Sequence, residues 1–208
     1  REGKIEVGAR LPSERDLAEK LGVSRPTIRE AMIAMEISGI VEIRSGSGVY
    51  VTQRPSKNQS LPQELGAGPF EILEARMALE GETSALAAQK ITSNDLKTLK
   101  KLLSEMAKEN RKNTIHEDAD EQFHRVIAEA SGNAVLVSMV EWLWALRNES
   151  EISQMFHQRL RDEGVRPIIE DHQAIYDALA EGSASKARKA MHKHLQRVIK
   201  TVIDQKGP

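Results

Sequence analysis

At 208 residues the chain is long enough for one large domain or two small ones, and a change of texture partway along favours two. It has no cysteine, which excludes a disulfide framework and any thiolate metal site, so a bound metal has to be held by His and carboxylate. The formal net charge is −1, and residues 1–55 carry nine basic against eight acidic side chains. Bulk charge therefore makes no case for nucleic acid, and such a case has to come from where the arginines cluster. No apolar run approaches the roughly 18 residues that a membrane span requires, which predicts a soluble, cytoplasmic protein without a membrane partner.

Ser13 reads as an N-cap, with Asp16 three residues on and Leu17 and Leu21 along one face, so Glu14 to Leu21 is predicted to be a short helix that Gly22 ends. Ser24 caps a second helix whose inner face is Ile28, Met32 and Met35 and whose opening turns carry Arg25, Thr27 and Arg29 outward. Two alternating strands follow, Val41-Glu42-Ile43-Arg44 and Val49-Tyr50-Val51, around the turn Ser45-Gly46-Ser47-Gly48. Helix, glycine turn, helix and glycine-tipped hairpin suit DNA. A helix N-terminus brings amide donors toward phosphate, and arginines there can reach guanine O6 and N7 in the major groove. Arg44 beside Gly46 can enter the flanking minor groove. From spacing alone, two arginines on a short helix serve equally well as a solvated face.

Residues 1–52 thus form one domain. From Gln53 to Gly68 the composition turns to Pro, Ser, Asn, Gln and Gly without period, as a linker does. Beyond it, residues 69–208 show no strand. Helical stripes cover Pro69 to Lys90, Asp95 to Arg111, Ile115 to Ser131, Ala134 to about Phe156, Pro167 to Ala180 and Ser185 to Ile203. Gly132-Asn133 and Gly182 mark stops, and Pro69, Thr92 and Ser183 mark starts. The expected fold is mainly α: a winged helix-turn-helix followed by an all-α antiparallel bundle.

Several bundle helices place ionisable groups inside apolar stripes. Asp120 and His124 lie four apart and share a face with Phe123 and Ile127. His172 lines up with Ile168, Ile175 and Leu179, and His194 borders Met191, Leu195, Val198 and Val202. His192 flanks that last stripe on its other side, and helical arithmetic does not choose between the two. An unpaired buried carboxylate is costly, and one divalent ion such as Zn or Ni would satisfy the whole set; a hydrogen-bonded polar core is the alternative. His116 and His157 have no comparable partners and are expected to face solvent. Arg76, with Ile72, Leu73 and Leu79, and Arg147, with Val140, Leu143 and Trp144, also fall on inward faces. A buried guanidinium wants an anion, supplied either by an internal salt bridge or by the carboxylate of a small effector.

The run LPSERDLAEKLGVSRPTIREAM, followed by SGIVEIRSGSGVYV, resembles the winged-helix domain of the GntR superfamily. That resemblance implies Arg15 on phosphate, Ser24, Arg25, Thr27 and Arg29 on bases or phosphate, and Gly46 at the wing. It also implies a further helix ahead of Arg1, missing or truncated here. DEQFHRVIAEASGN, EDHQAIYDALAEG and AMHKHLQRV are similar to the ligand-binding domain of the FadR-type branch, whose metal-binding members imply Asp120, His124, His172 and His194 as ligands. The acyl-CoA regulator after which the branch is called does not use such a site, which turns the expectation away from fatty-acyl effectors. GPFEILEAR, FHRVIAEASGN and DHQAIYDAL are similar to hexuronate-utilisation regulators, implying a sugar acid, with lactate or another hydroxy acid second, clamped by Arg76 and Arg147. The expected function is a homodimeric repressor of sugar-acid catabolism that leaves double-stranded operator DNA when its carboxylate effector binds beside a metal. Two other classes stand beside it: a metal-dependent enzyme acting on a sugar acid, and a pure metal-sensing repressor. No nucleophile or general-base constellation supports the enzyme.

Overall fold

The structure is a computed structural model that describes residues 5–44, 46–52, 66–112, 118–162 and 164–204, with side chains as far as residue 201. The described residues form helices α1 (Glu14–Leu21) and α2 (Arg25–Ile37), a hairpin of β1 (Val41–Arg44) and β2 (Gly48–Val51), then α3 (Pro69–Ala88), α4 (Ser93–Lys112), α5 (Asp118–Ala130), α6 (Ala134–Glu149), α7 (Glu151–Asp162), α8 (Ile169–Ala180) and α9 (Ala184–Asp204). Ser45 at the hairpin tip, residues 53–65 of the expected linker and His116 lie outside the described residues.

Local chemistry sets the N-terminal elements. The Ser13 hydroxyl accepts from the Asp16 amide at 3.2 Å to open α1, and Gly22, at φ 69°, takes the left-handed conformation that ends it at little steric cost. Ser24 accepts from the Thr27 amide at 3.2 Å to open α2. The strands pair antiparallel with Val41 opposite Val51 and Ile43 opposite Val49. Their inward side chains close a small core of Ala18, Ile28, Met32, Val41 and Val49.

The bundle is organised around α3, which packs on α5, α6 and α9 and is buried on several faces. Its main core gathers Leu73 from α3, Leu99, Leu103 and Met106 from α4, Phe123 and Ile127 from α5, Ile175 and Leu179 from α8, and Met191 and Leu195 from α9. Thr92 and Asp95 form a reciprocal cap that starts α4: each amide donates to the other's side chain, at 2.9 and 3.2 Å.

The expected single helix from Ala134 to about Phe156 is instead two, divided at Ser150. There ψ is 121°, outside the helical range, and the hydroxyl donates to the Ala67 carbonyl at 2.9 Å while accepting weakly from the Ser153 amide at 3.4 Å. The apolar period runs through the break because α6 and α7 both turn apolar faces inward, so periodicity alone could not reveal it.

The two domains also touch. Ile33 of α2, Phe70 of α3 and Ile152, Phe156 and Leu160 of α7 form one buried cluster. The Phe70 amide donates to Glu30 at 3.1 Å, and Arg159 of α7 pairs with Glu36 of α2. Helix α2 therefore has two buried faces: Ile28 and Met32 point into the winged domain, and Ile33 points into the bundle.

Candidate functional site

Inside the bundle, α5 contributes Asp120 and His124, α8 His172 and α9 His194. One potential ligand atom from each lies within 4.8 Å of every other, and all four residues are buried. The rings of His172 and His194 are 4.3 Å apart and those of His124 and His194 5.4 Å. His192, the alternative left open by the helical arithmetic, is elsewhere: its ring lies against Gly81 of α3, where any larger residue would collide with it.

Hydrogen bonds orient the imidazoles. The His124 Nδ1–H donates to the Glu80 carboxylate, and the His172 Nδ1–H donates to the Ile168 carbonyl at 2.9 Å. Each Nε2 is thereby turned to the centre of the cluster, as a metal-binding histidine is commonly oriented by the carboxylate or carbonyl that accepts from its other ring nitrogen. His172 Nε2 lies 2.7 Å from Asp120 Oδ1, whereas His124 Nε2 and His194 Nδ1 are buried without hydrogen-bond partners. Orphaned imidazole nitrogens facing a carboxylate fit a divalent ion of the zinc or nickel type.

Charges within the cluster shift its members in opposite directions. Burial alone would raise the Asp120 pKa, but the hydrogen bond and charge of His172 hold it well below the usual carboxylate range. Burial alone would lower His172, yet Asp120 raises it above the ordinary imidazole value. His194 is pushed well down by burial and by the neighbouring His172 and His124.

Sequence reasoning missed Glu80. It lies one helical turn beyond Arg76, 2% exposed, and accepts from Arg76 Nε at 2.6 Å while also holding His124. Burial opposes its ionisation, but Arg76 and His124 keep its pKa down at about 2. The signal available was the i, i+4 spacing of Arg76 and Glu80 within an apolar stretch. Arg76 thus has its internal salt bridge, while its buried Nη2 has no partner. The guanidinium carbons of Arg76 and Arg147 lie 4.1 and 4.8 Å from the Trp144 ring centre, which holds the two cations near each other.

A cavity of about 80 Å³ opens beside the cluster, walled by Asp120 and His194 together with Arg76, Arg147, His157 and Arg166, and by apolar Leu73, Phe156 and Leu160. Its polar lining can hold an anion and its apolar wall shields that anion from water. His157, expected to face solvent, is here part of the wall. The break at Ser150 redirects the chain, and the face of α7 that carries Phe156 and His157 lies over the cavity.

At the N-terminal end, Arg15 is exposed, with 81% of its side chain accessible, and Ser24 and Thr27 are exposed with their hydroxyls 2.8 Å apart. Arg25 is half-buried and Gly46 is exposed at the wing, with φ 70°. Arg29 is placed differently from Arg25. Its Nε donates to Glu14 at 2.9 Å, its side chain is 12% exposed, and it lines a small pocket between α1, α2 and α7. Arg44 is tied to Glu42 at 2.8 Å and lies over the Tyr50 ring.

A winged helix-turn-helix docked on a helical bundle, with a cavity opening beside a buried Asp/His cluster, defines a DNA-binding regulator of transcription. Residues 1–51 match the gntR family of bacterial regulatory proteins and residues 71–197 match the FCD domain. The chain belongs to the GntR family, in the branch that carries an FCD domain, a family of transcription regulators and not of enzymes. It is 39% identical over 202 residues to the Uxu operon regulator of Haemophilus influenzae, covering 95% of this chain and 75% of that protein. It is 36% identical over 204 residues to the Uxu operon transcriptional regulator of Escherichia coli, covering 95% and 79%. Among solved structures it superposes on a Streptococcus agalactiae GntR protein with a TM-score of 0.50 at 28% identity, covering 94% and 91%. No helix among the described residues is long and apolar enough to cross a membrane.

Proposed function

We propose that the chain is a cytoplasmic, homodimeric repressor that holds one divalent metal, zinc first and nickel second, on Asp120, His124, His172 and His194. It releases operator DNA when a hexuronate-type sugar acid binds in the adjoining cavity. The observation that carries this reading is the shared wall. Asp120 and His194 border the same cavity as Arg76 and Arg147, so an effector carboxylate placed there meets both the metal position and guanidinium donors. The bound metal supplies a fixed positive centre for that carboxylate. Arg76 Nη2, buried and without a partner, offers it a hydrogen bond. The similarity to regulators named for the Uxu operon supports a sugar acid as the effector.

Operator contact falls to Arg15, Ser24, Arg25 and Thr27 around the N-terminus of α2, with Gly46 letting the wing approach the backbone. Arg29 joins them only if it leaves Glu14. A homodimer follows from the need for two half-sites. The outer face of α6 supports it, because Val135, Met139 and Trp142 repeat at helical spacing with 67%, 45% and 60% exposure. The signal has a short route. Phe156 and Leu160 wall the cavity on one side and pack against Ile33 of the recognition helix on the other, so a shift of α7 on effector binding is felt by α2.

The test is a thermal-shift titration of the metal-loaded protein with D-glucuronate, D-galacturonate, D-gluconate and L-lactate. It is followed by release from a duplex that the protein has selected from random sequence. A ligand specific to the native state must raise its melting temperature. An acid that stabilises the protein and lowers its DNA affinity is the expected result. Stabilisation by none of the four, or DNA release by metal alone, would overturn the proposal.

A further inference from the structure

His157 is not one of the clustered ligands, and no DNA-reading role reaches it. Its Nδ1 lies 2.8 Å from the Ser153 carbonyl, one turn back on α7, and 3.4 Å from the Ser153 hydroxyl. A carbonyl oxygen only accepts, so Nδ1 carries the proton. In the neutral ring Nε2 then carries a lone pair and no hydrogen. Burial, and after it the positive charge of Arg147, hold the His157 pKa well below the ordinary imidazole range, which keeps the ring neutral. Nε2 has no hydrogen-bond partner among the described residues, and the residue forms part of the cavity wall with Arg76, Arg147 and Arg166.

The cavity therefore offers two kinds of polar surface. Arginine N–H groups are donors and suit a carboxylate. An imidazole lone pair is an acceptor, repels a carboxylate oxygen, and is satisfied only by a group that brings its own hydrogen. On a small organic acid that group is a hydroxyl.

We propose that His157 is a specificity-determining residue that accepts a hydrogen bond at Nε2 from a hydroxyl of the effector, so that the cavity selects hydroxylated acids over plain carboxylic acids. The proposal rests on the cavity being the seat of a carboxylate effector and adds the second group which that effector must carry. A plain acid of the same length leaves the imidazole lone pair without that partner. Sites built around such a polar group discriminate sharply against analogues that lack the matching hydroxyl. The Ser153 carbonyl acts as a positioning group, because it selects the tautomer.

The experiment uses the full metal-loaded chain and pairs of probes: L-lactate against propionate, and D-glucuronate and D-gluconate against hexanoate, each by calorimetry. In the unaltered protein at least one hydroxylated member should bind roughly tenfold or more tighter than its plain partner. His157→Leu, which keeps bulk and removes the acceptor, should bring that ratio close to one. His157→Gln, whose side-chain carbonyl can take the place of Nε2, should restore most of it. A purely structural role would weaken hydroxylated and plain acids alike and leave the ratio unchanged. An unchanged ratio in His157→Leu, no recovery in His157→Gln, or equal binding of both members by the unaltered protein overturns the role of His157 and leaves a carboxylate effector standing. Failure of every acid to bind the unaltered protein overturns both.

Discussion

The two halves of this molecule put the residues proposed to do their work in opposite environments. In the winged domain Arg15, Ser24, Thr27 and Gly46 are exposed on a surface that capped helices and a glycine-tipped hairpin present almost unaided. In the bundle Arg76, Glu80, Asp120, His124, Arg147, His172 and His194 are all buried, and each is tolerable only because others are placed against it. A surface reader can lose a side chain without unfolding. A buried polar constellation stands or falls as a unit, and that contrast orders the expected effects of change.

The largest should come from Glu80. Replacing it with Leu leaves Arg76 buried without its carboxylate and removes the acceptor of His124 Nδ1–H, which should cost about 3–5 kcal/mol in denaturant unfolding. The double variant Arg76→Met, Glu80→Leu should be milder than Glu80→Leu alone, because no charge is then stranded. If the double variant is the less stable of the two, the ion pair is not what Glu80 supplies.

Next is the metal. Chelation should lower native stability by on the order of 3 kcal/mol relative to protein with metal at a hundred times its Kd, and zinc or nickel should restore it. Protons compete for the same nitrogens, and Asp120 raises the pKa of His172 above the ordinary imidazole value. Metal affinity should therefore fall as pH drops through that raised value, starting at higher pH than for an isolated histidine. Elemental analysis of protein purified without chelator, showing only traces of metal and no gain on adding it back, would reduce the four residues to a hydrogen-bonded core.

Arg25→Ala should weaken operator binding by about 1–3 kcal/mol in gel-shift titration if the side chain reads a base. Arg29→Ala is the sharper probe of the contrast between halves, since Arg29 is turned inward onto Glu14. It should lower the stability of the winged domain, and an operator effect as large as that of Arg25→Ala with no loss of stability would show that the pair opens on DNA. The smallest effect should be at the break between α6 and α7. Ser150→Ala removes one cap and one hydroxyl donor, for about 1 kcal/mol in denaturant unfolding.

Much of the fold was legible because it rests on nearest neighbours. Ser13, Gly22, Ser24, Thr92, Gly132 and Ser183 announce helix ends through hydrogen bonds and left-handed turns that span only a few residues, and the hairpin is announced by alternation around glycines. Asp120 with His124 was legible for the same reason, as a spacing of four on one helix. By itself, then, the sequence determined the capped helices, the wing, the family and the inward placing of Arg76, Asp120, His124, Arg147 and His172.

Only the tertiary structure decided which of those groups meet. It placed His194 and not His192 in the cluster, because the crossing of α9 over α3 sets one ring against Gly81 and the other beside His124 and His172. It brought Glu80 to His124 across 44 residues of chain, turned Arg29 from the expected outward face toward Glu14, and moved His157 from an expected surface into the cavity wall. Helical periodicity says which side of a helix is buried, but contacts between helices depend on crossing and register, and those are fixed by how all the packed side chains fit at once.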